Sequence, residues 1–362
     1  MNEVQVDLMN QGQAQGELAA YAAAAGRLDI GKMRPYIGSD GRSYMTVYKG
    51  GDPKKKENYA TLQTNTAGTL RRDEWKQLDE AVLAIAEKRL TGVQNLIDNG
   101  LVYNLGNAMG TTVLEYHDSG DALVAELSMD AVSRAQGDRQ QYKTIYLPIP
   151  IIHADYEINQ RALEASRSLG NPLDTSMAER AGRKVGEKLE SMLFTDTTYA
   201  FGGGTIYSYL NHTDRNTVDI SKAWDDSSTT GKEIIQDVLE MKQESIEAFH
   251  YGPWVLYVPT SYETKLDEDY ADAKGDNTIR QRILDIAGIN GVEVIDTLPD
   301  DNVLLVQMTS DVVRLVRGMG IQNIQWQTEG GFVNKFKAIT IQVPQIRSDQ
   351  DGNSGIVHGT VS

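Results

Sequence analysis

The chain's nearest approach to a metal-binding set lies in HADYEIN, where His153, Asp155 and Glu157 recur at every second position. On a strand that spacing turns all three side chains to one face, and an imidazole with two carboxylates suits a divalent ion. No other histidine is recognisably placed to complete the coordination, so the plainer reading is a polar strand face. His212 and Asp214 in LNHTD read as a turn. Asp267, Glu268, Asp269, Asp272 and Asp276 lack the spacing of a calcium loop and read as an exposed acidic segment. Gly202-Gly203-Gly204 has neither the lysine and hydroxyl residue of a P-loop nor the spacing of a dinucleotide fingerprint, which leaves a flexible connector. Lys54-Lys55-Lys56 reads as a solvated loop rather than a phosphate contact. Serine-hydrolase elbows and paired glycosidase carboxylates have no supporting local motif. No enzymatic activity, no cofactor and no metal are expected.

Composition narrows the classes further. The 362 residues suffice for two or three domains, and 40% hydrophobic with 24% charged content is ordinary for a folded chain. With no cysteine, disulfides, thiolate metal sites and cysteine nucleophiles are excluded. A net charge of −16 argues against a dedicated nucleic-acid binder. No apolar run has the length of a membrane span, and MNEVQVDLMNQGQAQ lacks a signal-peptide layout, so neither membrane nor export is expected.

The elements that must position these residues follow from periodicity. Residues 1–70 hold an alanine-rich piece (16–26), much glycine and proline, and little to bury; they read as an extended arm. A helix is expected over 72–100, with Trp75, Leu78, Val82, Ile85, Val93 and Leu96 on one face and Gly100 as its C-terminal cap. A second lies within 171–194, with Ser176 and Glu179 at capping-box spacing. Its narrow apolar stripe is Met177, Ala181, Val185, Leu189 and Met192, opposite Glu179, Arg183 and Glu187. Between them, 117–151 reads as a long hairpin. It goes out along 122–129, turns near 133–139 with Gly137, and returns along 142–151. Arms of that length would reach roughly 40 Å. A lone hairpin is marginal in water, so its apolar alternation needs another subunit as cover. The alternation through Ile145, Leu147, Ile149 and Ile151 slips by one at Ile152, which predicts a bulge or bend at 151–152. Helices at 232–250 and 278–289 alternate with strands at 254–259, 292–296 and 302–308, a compact α/β unit. Long strands return from Ile321, and the polar tail 348–362 is expected to be ordered by contacts alone.

That order of elements, with LRRDEWKQLDEAVLAIAEKRLTGVQNLIDNG (70–100), YKTIYLPIPIIHADYEI (142–158) and AERAGRKVGEKLESMLF (178–194), resembles the Hong Kong 97-type major capsid proteins of tailed phages. The same stretches are similar to the encapsulin (linocin-type) shell proteins. The resemblance implies an α+β fold with an N-arm (1–70), a first P-domain part with a long helix (71–116) and an E-loop hairpin (117–151). A P-domain with a spine helix (152–230), an A-domain (231–318) and a return to the P-domain with a C-terminal tail (319–362) complete it. It implies self-association as pentamers and hexamers into an icosahedral shell around double-stranded DNA held without sequence-specific binding. The implied site is the virion, assembled in the host cytoplasm with a separate scaffolding protein, a portal and a decoration protein. Leu123, Leu127, Arg134, Arg139, Tyr142, Lys143, Ile145 and Leu147 of the hairpin, with Glu179, Arg183 and Glu187 of the spine helix, are then subunit-interface residues. Ile151 and Ile152 are the hinge. Encapsulins of the commonest type begin almost at the helix matching 72–100, so the long arm favours a phage shell over a cargo compartment. The family's lysine–asparagine cross-link is not expected, because Lys143, the only lysine between 118 and 150, lies near the hairpin's root.

Overall fold

The computed structural model describes residues 35–48, 55, 59–63, 70–87, 90–119, 142–169, 175–270, 277–328, 332–349 and 352–361. The chain divides into two compact units, one of residues 1–89, 151–186 and 319–340, the other of 90–150, 187–318 and 341–362.

In the first unit, part of the expected arm is folded. Pro35–Ile37, Ser43–Tyr48 and Tyr59–Gln63 form a three-stranded antiparallel meander. Its first turn is local chemistry: Asp40 Oδ1 accepts the Arg42 N–H at 3.1 Å, Tyr44 donates its hydroxyl to the other carboxylate oxygen, and Gly41 takes a positive φ of 78°. The Ile37 N–H donates to the Leu70 carbonyl at 3.0 Å and ties the meander to the start of the first helix. The extended reading failed because SYMTVY and YATLQ carry strand alternation that glycine and proline punctuation conceals. The alanine-rich piece lies outside the described residues.

The helix expected over 72–100 is two helices, Arg72–Glu87 and Thr91–Asp98, and they fall in different units. In the first, Trp75, Leu78 and Val82 are buried as their spacing predicts; the Ile85 side chain lies outside the described ones. Trp75 meets Phe336 edge-on at 6.1 Å, and Phe336 stacks on Tyr156 at 5.0 Å. The latter two are cross-strand partners, because Ile152–Asn159 pairs antiparallel with Val333–Ile346 from Ile152↔Thr340 to Asn159↔Val333. Gln160–Leu169 follows as a helix that periodicity missed, since Leu163 is its one deeply buried side chain among those described. At Gly182 a Cβ would press on the Val82 carbonyl, so this glycine sets how closely the Ser176–Phe194 helix approaches Arg72–Glu87.

The second unit is built on a five-stranded mixed sheet in the order Asn216–Ile220, Ile356–Val361, Asn302–Gln307, Trp254–Pro259, Ile289–Ile295. Two expectations are corrected by it. The tail is a buried strand in the interior of this sheet, parallel to Asn216–Ile220 and antiparallel to Asn302–Gln307, because IVHG buries small and apolar residues that a polar average hides. For the same reason the α/β unit does not begin at 231: it recruits Asn216–Ile220 from the segment assigned to the P-domain. Gly231–Glu247 packs through Ile234, Val238 and Met241, and its N-terminus carries a reciprocal Thr230–Glu233 capping box. Trp254–Pro259 is buried at every position, so both its faces are covered. Tyr257, on the face away from Trp254, Leu256 and Val258, meets Phe194 at 4.9 Å and Tyr209 at 6.2 Å.

A buried carboxylate holds the second helix in place. Thr91–Asp98 has no side-chain cap from its own N-cap residue, Leu90. Glu190, only 4% exposed, accepts the Gly92 N–H at 2.6 Å and the Val93 N–H at 3.4 Å. Gly92 has no room for a side chain, since the Phe194 ring occupies that place. Gly100, at φ 71°, then closes the helix with the Gly100→Ile97 and Leu101→Leu96 bonds of a glycine C-cap. Burial raises the Glu190 pKa from its ordinary 4.5 to about 7, partly offset by the two backbone N–H groups. A carboxyl whose folded pKa is raised stabilises fully below its unfolded value and loses that contribution as pH climbs through the folded one. The second unit should therefore lose roughly 3 kcal/mol between pH 4.5 and 7 from this group. Glu190→Gln keeps the acceptor and removes the titration; chemical denaturation across that range should be flatter for the variant, and an unchanged slope would refute the assignment.

Candidate assembly surface

No cluster of three or more His, Asp or Glu that could hold a metal occurs among the described residues. The Ile152–Asn159 strand does place His153, Asp155 and Glu157 on its exposed face, while Ile152 and Tyr156 point inward. His153 Nδ1 lies 3.5 Å from Asp155 Oδ1, and Lys337 Nζ lies 3.4 Å from the same oxygen, so the carboxylate is shared between a ring and a cross-strand ammonium. Asp267 pairs with Arg280 at 2.9 Å and Glu268 with Lys265 at 2.9 Å; Asp272 and Asp276 lie outside the described residues.

His212 is buried in its turn and accepts the Asp214 N–H at 3.3 Å. Close by in sequence, Arg215 Nε donates to His358 Nδ1 at 3.3 Å, while His358 Nε2 lies 2.7 Å from Asn302 Oδ1. This arrangement fixes a neutral imidazole, and burial together with the Arg215 cation lowers its pKa to about 4. Through Arg215 and Asn302, His358 helps hold the tail strand.

Val113–Ser119 pairs antiparallel with Tyr142–Pro148, from Val113↔Pro148 to Ser119↔Tyr142. The outgoing strand thus starts at Val113, inside the segment assigned to the first P-domain part, and not at 117. Leu123, Leu127, Arg134, Arg139 and the expected tip lie outside the described residues, as do the side chains of Tyr142 and Lys143. Leu147 is buried and Ile145 half-buried, whereas Tyr146 between them is exposed. The three glycines form a tight turn, not a flexible connector. Gly202 and Gly203, at φ 60° and 82°, join Tyr199–Phe201 to Gly204–Ile206 as a two-residue hairpin. Gly204 lies directly against the Tyr146 backbone, where any Cβ would collide with the carbonyl. The outcome is three exposed aromatic residues, Tyr146, Tyr199 and Phe201 (53% exposed), on adjoining strands.

Pairing along the return strand stops at Pro148, and new pairing with a different strand starts at Ile152. Ile149 is buried, Ile151 is 46% exposed and Ile152 is buried again, so the phase changes within these few residues.

The Ser176–Phe194 helix differs from its expected faces. Thr175, not Ser176, donates to Glu179 at 2.9 Å from the position preceding the helix. Met177 is exposed, and Ala178, Gly182, Gly186 and Leu193 join the buried side, which widens the stripe. Glu179, Arg183 and Glu187 are half-buried, and the outer face belongs to Arg180, Lys184 and Lys188.

Two large aromatics escaped the periodicity reading altogether. Phe249 (72% exposed) and Tyr251 (67%) follow the Gly231–Glu247 helix in AFHYG. Phe249 occupies the left-handed position, φ 62°, that glycine ordinarily takes after a helix, with the Phe249→Ile246 and His250→Ser245 bonds of a glycine C-cap. The legible signal was an aromatic residue where helix-ending glycine belongs.

With this geometry described, the fold class is plain: an α+β chain of the Hong Kong 97-type capsid fold, shared by phage capsids and encapsulin shells. A virus-like particle from Pyrococcus furiosus superposes with a TM-score of 0.58 at 18% identity, covering 78% of this chain and 98% of that one. The capsid of Myoviridae phage XM1 does so with a TM-score of 0.53 at 9% identity, covering 74% and 91%. The type 1 encapsulin shell protein EncA of Myxococcus xanthus is 25% identical over 237 residues, 65% of this chain and 71% of that protein. Residues 64–359 match the model of a family of unknown function, DUF6260, and the chain belongs to that family.

Phe249→Gly relieves the left-handed strain, so the folded subunit should keep its stability or gain up to roughly 1 kcal/mol. If the exposed ring serves association, the same variant should weaken self-assembly measured by sedimentation. Full assembly by the variant would remove Phe249 from the contact.

Proposed function

We propose that this chain is a structural shell protein, copies of which associate as pentamers and hexamers into a closed icosahedral particle. The observation that carries the reading is the fold match over 98% of a particle-forming chain at a TM-score of 0.58. It is supported by large apolar side chains left in water, among them Tyr146, Tyr199 and Phe201, Phe249 and Tyr251, and Ile151 at the strand switch. On this reading the hairpin 117–151 lies over an adjacent subunit, and Leu123, Leu127, Arg134, Arg139, Tyr142, Lys143, Ile145 and Leu147 meet its spine helix. Ile151 and Ile152 let the ribbon change angle at each symmetry position. Many weak contacts per subunit then sum to a stable shell. The protein binds and encloses; it catalyses nothing.

The content is a double-stranded DNA genome, and the protein belongs to a virion assembled in the host cytoplasm with a separate scaffolding protein, a portal and a decoration protein. Support comes from the N-terminal segment: residues 1–63 precede the family match, and part of them folds as a meander tied to Leu70. A second reading, a cargo-enclosing encapsulin, is favoured by the identity to EncA and by a small pocket beside the first helix. That pocket is lined by Asp79, Val82, Leu83, Ile321, Gln322 and Asn323. Native particles with encapsidated DNA support the first reading, and particles carrying a co-purifying enzyme support the second.

Deleting 124–140 removes the ribbon beyond the described root pairing. Electron microscopy should then show no shells while circular dichroism reports a folded subunit. Shells of unchanged yield would take the hairpin out of the mechanism, and a wild-type protein that stays monomeric under every assembly condition would overturn the shell itself.

A further inference from the structure

Arg314 and Arg347 of the second unit have guanidinium groups without a counter-ion among the described residues. Arg314 lies on the Val313–Thr328 strand and Arg347 just beyond Val333–Ile346; the Arg347 N–H donates to the Val312 carbonyl at 2.8 Å, which brings the two positions alongside one another. Arg314 sits over the Tyr103 ring at 4.5 Å, and Arg347 over the Tyr116 ring at 5.9 Å. Arg314 Nε donates to Gln345 Oε1 at 2.5 Å, but the same carboxamide's Nε2 and the Nε of Arg347 are buried without an acceptor among the described residues. Gln345 is fully buried, and both arginines are half-buried.

Fold stability alone does not account for this arrangement. Like charges at close range repel, and burial followed by the Arg347 cation lowers the Arg314 pKa. Buried donors without acceptors add a further cost. Stacking on tyrosine orients each guanidinium plane and leaves its edge donors available. Planar forks of this kind match the oxygens of carboxylates and phosphates.

We propose that Arg314 and Arg347 form a receptor for an oxyanion, a carboxylate or phosphate group, that neutralises the pair and accepts its unused N–H donors. The anion has two sources. In a chain of 51 acidic and 35 basic residues, packed copies present carboxylates to one another, so within a shell the source is an acidic side chain of a second copy. That source rests on the shell reading; the receptor does not. Free inorganic phosphate is the alternative source.

Unassembled protein titrated with sodium phosphate, against sodium chloride at matched ionic strength, tests the receptor by thermal unfolding. The Tm should rise by about 3 °C when phosphate is tenfold above its Kd. Arg347→Gln and the double variant Arg314→Gln/Arg347→Gln should abolish the rise. Should the double variant not fold, Arg347→Gln carries the comparison, because among the described residues the Arg347 side chain makes no hydrogen bond to lose. No phosphate-specific rise in the wild type, or an equal rise in Arg347→Gln, overturns the proposal. Particles distinguish the sources. A response absent from assembled shells, with Arg347→Gln needing about tenfold more protein to assemble, identifies the neighbour's carboxylate. A response retained in shells identifies the free anion. Wild-type protein that never assembles would refute the shell reading and leave the phosphate titration to decide the receptor.

Discussion

A strand turns successive side chains to opposite faces, so a segment keeps its apolar residues inward only while it stays in one sheet. The segment 142–159 belongs to two sheets, and much of the structure depends on how it passes between them. Leu147 and Ile149 are buried at the end of one pairing, and Ile152 and Tyr156 are buried in the next. The exposed Ile151 is the residue given up to change phase. Pro148 and Pro150 cannot donate to a ladder, so neither sheet can extend through the switch. Once Ile152 is set inward, Tyr156 follows at the same phase and stacks on Phe336, which meets Trp75 of the first helix. A single added or lost residue near Ile151 would present His153, Asp155 and Glu157 to that core instead.

Close packing elsewhere rests on absent side chains and one buried acid. Gly182 and Gly204 admit backbone carbonyls where a methyl group would not fit, and Gly92 admits the Phe194 ring. The same Gly92 offers its N–H to Glu190, so steric fit and hydrogen bonding select the same residue. Leu90 cannot cap its helix, and a carboxylate distant in sequence does so at the expense of desolvation. Buried polar groups of this kind specify one arrangement, because any other leaves them without partners.

Much of the core was legible because it is periodic. Trp75, Leu78 and Val82 in the first helix and Ile234, Val238 and Met241 in the Gly231–Glu247 helix repeat with the helical period, and WVLYVP is a continuous apolar run buried at every position. The order of elements carried the resemblance, and the resemblance supplied the assembled fold that periodicity alone does not give. What stayed hidden has physical causes. Strand Ile356–Val361 reads as a polar tail because Gly359 and His358 are buried by pairing on both edges, a tertiary fact. The break between Glu87 and Thr91 was invisible because apolar spacing continues through it into Val93 and Leu96. On the Ser176–Phe194 helix the expected stripe began at Met177, which faces water, while Glu190 is buried, because hydrophobicity does not foresee a carboxylate used as a helix cap.

The surface reads by an inverted logic. Inside, two of the departures from local preference have named compensations: Glu190 receives two N–H groups, and the buried His358 accepts from Arg215. Outside, Phe249 takes a backbone conformation suited to glycine, held by the Phe249→Ile246 and His250→Ser245 bonds, and leaves its ring 72% exposed. Arg314 and Arg347 repel one another without an acid between them. A subunit that worked alone would be more stable with a glycine in place of Phe249 and an acid beside the arginines. On the proposed shell reading these costs have a reason, because contacts too complete in the monomer leave no free energy for association.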